Sequence, residues 1–370
     1  MSIDPELFDP LSTIAAVLAT VFIALYLTML GAIVLLRWSR LLRERRMRQF
    51  IDLWRPIFFK SMTETPKKLP AILPSDGFMC LQLYNSIQES IVGEAKDRVN
   101  VLARQVGLDR IALKLMRRGK LAHKLTAIIA LGNLREEAAK DDLGSTLLDK
   151  SSPLSFLAAR ALLRIDPRST IDRIAVLCGS RRDWSPVRVI EMLSEAGTDT
   201  IAGPLSKVAT VALPDEGDRI LGFLEATRCT VALPSVREIL GREALDYRMI
   251  IACLRLIAEL GVPEDLPIVR AYLRHWNWCM RLYAVKAIGR LGSQDDENHL
   301  ISRLDDDNWW VRFRAAEALA NFPYMTKGRL KDIQAQASTK AQEILAEFVA
   351  DNPLRRRASL QMLDESVSSL

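Results

Sequence analysis

An apolar pattern that recurs at a fixed period limits the fold more than any other feature of this sequence. Seven positions align, Leu131, Leu162, Leu193, Leu224, Ile257, Ile288 and Leu319, at steps of 31, 31, 31, 33, 31 and 31 residues. Four residues before each stand Ala127, Ala158, Val189, Ile220, Cys253, Ala284 and Ala315, and one before stand Ala130, Ala161, Met192, Phe223, Leu256, Ala287 and Ala318. Leu134, Ile165, Ala196, Thr227, Leu260, Leu291 and Phe322 follow at three residues. These offsets fall on one helical face, because residues three and four apart lie above one another on a helix. The small residues four before suit a close approach of neighbouring helices. Each unit also holds a second helical segment, as at 265–273 and 298–304. Ser152-Pro153, Ser185-Pro186, Pro263-Glu264-Asp265 and Asp305-Asp306-Asp307-Asn308 supply cap and first-turn residues. No run alternates as a strand requires. The pattern predicts an all-α fold, an α-solenoid of about seven 31-residue helical hairpins that stack because no single unit can bury its own face.

The last two units are the most regular. One reads Asp307-Asn308-Trp309-Trp310-Val311-Arg312-Phe313-Arg314-Ala315-Ala316-Glu317-Ala318-Leu319, and Met280 to Gly289 follows the same order. An acidic cap, a Val-Arg pair, a small residue and Ala-Leu in this arrangement resemble the HEAT-repeat family, in its short phycobilisome-lyase-type form. The middle units depart from it, since neither the Arg nor the acid is well placed around Phe223. The resemblance covers about residues 120–335 and implies paired helices used as a binding surface. Membrane-bound HEAT proteins of this kind look like accessory subunits of envelope polysaccharide or glycosyltransferase complexes. The alternative that the resemblance offers is a HEAT-type enzyme, a bilin lyase or a DNA glycosylase-like protein.

A second constraint lies upstream. Ser12 to Leu36 runs 25 residues without a Lys, Arg, Asp or Glu. A spanning helix needs roughly 20 apolar residues at about 1.5 Å rise each. The acidic start (Asp4, Glu6, Asp9) and the bulky Ile33-Val34-Leu35-Leu36 before Arg37 are unlike a cleaved signal peptide. Arg37, Arg40, Arg43, Arg45, Arg46 and Arg48 follow, opposed by Glu44 alone. Basic flanks stay cytoplasmic, which predicts a single-pass membrane protein with its N-terminus out and its C-terminal domain cytoplasmic, at the inner membrane if bacterial. These six Arg are the expected membrane-surface residues, against anionic lipid headgroups.

The net charge of +6 is unevenly placed. Residues 37–124 carry 19 Lys and Arg against 8 Asp and Glu, whereas residues 125–370 carry 32 against 34. A nucleic-acid-binding solenoid would hold its basic excess on the repeats, so lipid or an acidic partner fits better than DNA or RNA. The expected organisation is an extracytoplasmic N-terminus at 1–11, a transmembrane helix at 12–36 and a basic juxtamembrane and helical cap region at 37–119. The HEAT-like solenoid follows at 120–350 and a flexible tail at 351–370. Pro56, Pro66, Pro70 and Pro74 are expected to break the early part of the cap region.

Candidate sites follow the repeat. Tyr247, Trp278 and Trp309 stand ten residues before three successive aligned positions, and Trp184, Trp276 and Trp310 lie within two residues of the equivalent place. Tyr247, Trp278, Trp309, Trp310 and Trp184 are the candidate partner-binding residues, since Trp and Tyr are favoured anchors. The same rings could instead fill gaps between repeats. Arg188, Arg219, Arg281, Arg312 and Arg314 are placed to pair with acidic caps such as Asp296 and Asp306. Arg110, Lys114, Arg117 and Arg118 fall on one helical face as a basic patch, either a solvated face or a contact for headgroups or an acidic partner. The partner expected overall is a membrane protein or membrane-associated complex. No Gly-rich phosphate loop, nucleophile setting, paired cysteines or His cluster is present, so no catalytic residue, cofactor or metal ligand is assigned.

Overall fold

A computed structural model of the chain describes residues 10–64, 66, 69–242 and 245–350. The acidic start and the tail at 351–370 lie outside the described residues. Helices with short 3₁₀ turns make up the ordered elements, and no strand occurs among the described residues. The fold is all-α, a solenoid of helical hairpins. It divides into two compact units, residues 1–143 and 144–370.

All seven aligned residues sit within the first helix of a hairpin. These helices are Leu121–Leu134, Ser152–Ile165, Pro186–Ala196, Pro214–Ala226, Tyr247–Leu260, Trp278–Leu291 and Trp309–Ala320. Every aligned residue and every residue four before it is buried. The small side chains there let successive helices approach closely. A Cβ added at Gly289 would lie 2.6 Å from that of Ala318, so the helices Trp278–Leu291 and Trp309–Ala320 meet with no room for a side chain. Second helices complete the hairpins of the second unit, such as Pro167–Ser180, Thr198–Val211 and Leu233–Leu240. Those that follow Tyr247–Leu260 and Trp278–Leu291 are shorter than the sequence suggests. The segment expected at 298–304 is helical only over Glu297–Ile301, and the segment at 265–273 is split into a 3₁₀ turn, Leu266–Ala271 and another 3₁₀ turn. The helix Thr339–Val349 closes the far end, with Phe348 5.3 Å from Phe313.

Buried ion pairs link the later hairpins of the second unit. Asp265 and Asp296 stand eight residues after their aligned positions and are fully buried. Each closes a 3₁₀ turn by accepting a backbone N–H, from Val262 at 2.9 Å and from Ser293 at 3.0 Å. Each also accepts from an Arg of the preceding repeat. Arg237 Nε donates to Asp265 at 2.6 Å, and Arg270 holds Asp296 through Nε at 2.7 Å and Nη2 at 2.9 Å. Burial alone would push the Asp296 carboxyl up, but the Arg270 fork and the Ser293 amide outweigh it and hold the group below its ordinary value.

In the first unit, Pro10–Ser61 is one uninterrupted helix of 52 residues, about 78 Å long. Pro56 does not break it. The ring lies on the exposed side and removes one N–H without ending the helix. Within it, Val17–Trp38 is long and apolar enough to cross a membrane, and none of this stretch is buried against the rest of the chain. Further along, Phe50, Trp54 and Phe58 recur every four residues on one buried face. Their rings step into the core at 5.9 and 6.1 Å, and Phe58 reaches Tyr84 at 6.4 Å. The helices Gly77–Ser90 and Glu94–Gln105 pack against the long helix, and Leu108–Arg118 and Leu121–Leu134 pack in turn on Gly77–Ser90. A polar network fixes three of them. Tyr84 and Gln88 donate to Asn100 Oδ1 at 2.6 and 2.7 Å, Asn100 donates to the Asn133 carbonyl at 2.9 Å, and Asn85 donates to the Thr126 carbonyl at 2.9 Å.

Candidate functional site

The aromatic ladder arises from helix capping. Asp246, Asn277 and Asn308 are N-caps whose side chains accept the amide two residues on, which makes Tyr247, Trp278 and Trp309 the first residues of their helices. A ring at that position sits at the hairpin edge. Tyr247 is 50% exposed and Trp309 37% exposed, while Trp278 and Trp310 are half-buried. Trp309 stacks on Phe313 at 5.1 Å and meets Trp310 edge-on at 4.6 Å.

Trp184 does not belong with them. It is 1% exposed and packs edge-on against Phe156 at 5.6 Å, with the Arg181 guanidinium 5.8 Å over its ring. No surface is left on it for a partner, and its role is the gap-filling one. The residue that the ladder position does not select is Trp276, 79% exposed. Its turn is held from behind. Arg281 Nη1 donates to the carbonyls of His275 and Trp276, each at 2.9 Å, while its Nε and Nη2 grip Asp306 at 2.7 and 2.6 Å. The guanidinium and the carboxylate are both largely buried. Asp306 also accepts from the Asn308 amide at 3.0 Å, so one ion pair orders the turn before Trp278 and the turn before Trp309. A large apolar ring is thus exposed on a turn that the Arg281–Asp306 pair holds in place. Spacing put Trp276 within two residues of the ladder but did not select it as an anchor, because its exposure depends on a clamp to Asp306, 30 residues downstream.

The repeat-position Arg residues serve the scaffold. Arg281 pairs with an acidic cap as expected. Arg312 instead donates to the backbone carbonyls of Asp306 and Asp307, at 2.6 and 3.0 Å, and Arg314 pairs with Glu317 on its own helix at 2.6 Å. Arg188 lies 4.5 Å over Phe156, and Arg219 donates to the Trp184 carbonyl at 2.9 Å.

In the first unit Arg110, Lys114, Arg117 and Arg118 are exposed together, opposite the buried Leu108, Ala112 and Met116. Arg117 pairs with Asp142 at 2.7 Å. Of the expected membrane-surface residues, Arg37, Arg45 and Arg48 are exposed, and Arg46 is bound to Asp76 at 2.6 Å. The side chains of Arg40 and Arg43 lie outside the described set. Burial pushes the thiols of Cys80, Cys178 and Cys253 up to about 12 and that of Cys279 to about 11, which suits small core residues and not nucleophiles.

Residues 233–320 and 266–364 match the family described as HEAT repeats. No curated protein matches the chain. Among solved structures, an engineered protein is similar over 80% of this chain and 88% of its own, at 16% identity and a TM-score of 0.35. That likeness is too weak to bear on fold or function. The HEAT repeats and the hairpin architecture make a scaffold suited to contact with other proteins.

Proposed function

We propose that the chain is a membrane-anchored scaffold that captures a protein partner on the aromatic edge of its HEAT repeats. Trp276 carries the reading. A tryptophan left almost bare to water, on a turn fixed by a buried ion pair, has been ordered before any partner arrives, and pre-ordered rings lose little entropy on binding. Trp309, Trp278 and Tyr247 widen the same edge. The apolar stretch Val17–Trp38 supports the anchor, and the Arg residues that follow it support a cytoplasmic position for the repeats. Anchoring would raise the local concentration of a membrane-bound partner. In this reading the protein acts by contact, as an accessory subunit, and a complex that builds an envelope polysaccharide is the setting its resemblance offers.

The test is recovery of partners from detergent-solubilised membranes, identified by mass spectrometry, with the intact chain and with Trp276→Ala. A partner held by the intact chain and lost with the variant supports the scaffold. Identical recovery from both removes Trp276 from the docking surface, and turnover of a substrate by the purified chain alone overturns the reading.

A further inference from the structure

The basic face of the helix Leu108–Arg118 has a fixed height above the apolar stretch. Trp38 ends that stretch, and Arg46 lies eight residues on, about 12 Å further along the same helix. Arg46 Nη2 donates to both Ser75 Oγ and Asp76 Oδ1 at 2.6 Å, so the helix Gly77–Ser90 begins at the level of Arg46. That helix then runs alongside the long one and away from the span. Phe58 meets Tyr84, and Ile51, Arg55 and Phe59 line one groove with Leu83, Ile87 and Ile91. Its starting end also receives the later helices. A Cβ on Gly77 would lie 2.9 Å from Ile111 Cγ2, and the Phe78 ring is 4.2 Å from His123. The middle of Leu108–Arg118 and the start of Leu121–Leu134 are therefore at the span-proximal end of the first unit.

Acids at that end are engaged, Asp76 by Arg46 and Asp142 by Arg117. Arg110, Lys114, Arg118 and Lys120 are exposed, and none has an ion-pair partner among the described residues, while Leu121 beside them is 57% exposed. Cations on an amphipathic helix, with an exposed apolar side chain at the start of the next, are the pattern of an interfacial contact. A height of about 12 Å is crossed in part by the headgroup layer, which adds roughly 5–7 Å on each side of the hydrocarbon. Long Lys and Arg side chains and a screening length of about 8–10 Å cover the remainder.

From this placement we infer that Arg110, Lys114, Arg118 and Lys120, with Leu121, form a second membrane contact, which docks the first unit onto anionic lipid headgroups. The inference rests on the anchor reading above. It gives the chain two attachments of different kinds, an apolar one indifferent to lipid charge and a cationic one that requires it.

The test uses the full chain, in vesicles of phosphatidylcholine with or without phosphatidylglycerol. All five native cysteines are buried, so a thiol-reactive fluorophore reports a single introduced site. A probe at Leu121→Cys is expected to be quenched by a headgroup-region quencher in anionic vesicles and not in neutral ones. The combined change Arg110→Glu, Lys114→Glu and Arg118→Glu should weaken docking about a hundredfold or more, at several-fold for each cation, as high salt should also do. The three side chains are exposed, so circular dichroism should show the variant folded. Equal quenching in both vesicles, or quenching that survives the triple change, overturns the contact. A patch that meets no lipid but whose reversal strips a bound acidic protein from the chain also overturns it, in favour of that partner. A probe at Leu25→Cys separates the two readings, since it must be quenched from within the bilayer whatever the lipid charge, and its failure removes the anchor and not the patch.

Discussion

Trp184 and Trp276 are the same residue type put to opposite uses, and truncation should separate them. Trp184→Ala would empty a site enclosed by Phe156 and the Arg181 guanidinium, at a cost of about 3–5 kcal/mol. Thermal melting should show that loss, and an unchanged midpoint would place the ring outside the core. Trp276→Ala removes almost no buried surface, so its stability should stay within about 0.5 kcal/mol of the parent while partner recovery falls. Spacing alone selected Trp184 as an anchor because it counts residues and cannot weigh what surrounds them. The first-helix position of Tyr247, Trp278 and Trp309 was legible, since Asp or Asn before an apolar helical run is a cap signal. The exposure of Trp276 was not, because the Arg281–Asp306 clamp is formed by residues 25 apart.

The hairpins repeat faithfully in their first helices and less so in their second. The aligned positions were readable because each buries one apolar face at a period of 31. The broken second helices were not, since Asp265 and Asp296 close their turns with Arg residues from the repeat before. The aromatic stripe Phe50, Trp54 and Phe58 stands at four-residue spacing, but Pro56 inside it reads as a helix break, which the exposed ring does not produce. The ion pairs set a pH response. Asp296 is held low by Arg270 and the Ser293 amide against its burial. Glu195 is held low by Arg160 and Arg164, also against its burial, and Glu259 is held low chiefly by Lys286. A carboxyl whose folded value lies below its unfolded one stabilises above the unfolded value, and that contribution is lost as pH falls through the folded value. The midpoint of urea unfolding should therefore fall between about pH 5 and about pH 3, as the unfolded carboxyls protonate first. Asp296→Asn should flatten that slope, and a slope identical to the parent's would refute the assignment. Arg270→Ala leaves a buried carboxylate uncompensated and should cost about 1–2 kcal/mol, discounted because the Arg side chain is one-third exposed.

At the scale of the molecule the notable feature is continuity, because the helix that carries the apolar stretch is the helix that supplies Phe50, Trp54 and Phe58 to the first core. A flexible tether would leave the first unit free to tumble beneath a bilayer. An unbroken helix instead holds the first unit at a set distance from the apolar stretch, so under the proposed anchoring the side of the membrane becomes a testable property. The five native thiols are buried, and burial pushes three of them up to about 12, so they should resist a charged maleimide at neutral pH until the chain unfolds. An exposed cysteine introduced at Arg45→Cys would then be the reactive site in intact cells or sealed vesicles. If the Arg run stays cytoplasmic, a membrane-impermeant reagent should label Arg45→Cys only after the membrane is opened. Labelling from outside intact cells would invert the topology and put the HEAT repeats on the other face. Release of the chain into the soluble fraction would remove the anchor itself. With either result the partner sought through Trp276 would have to come from a different compartment.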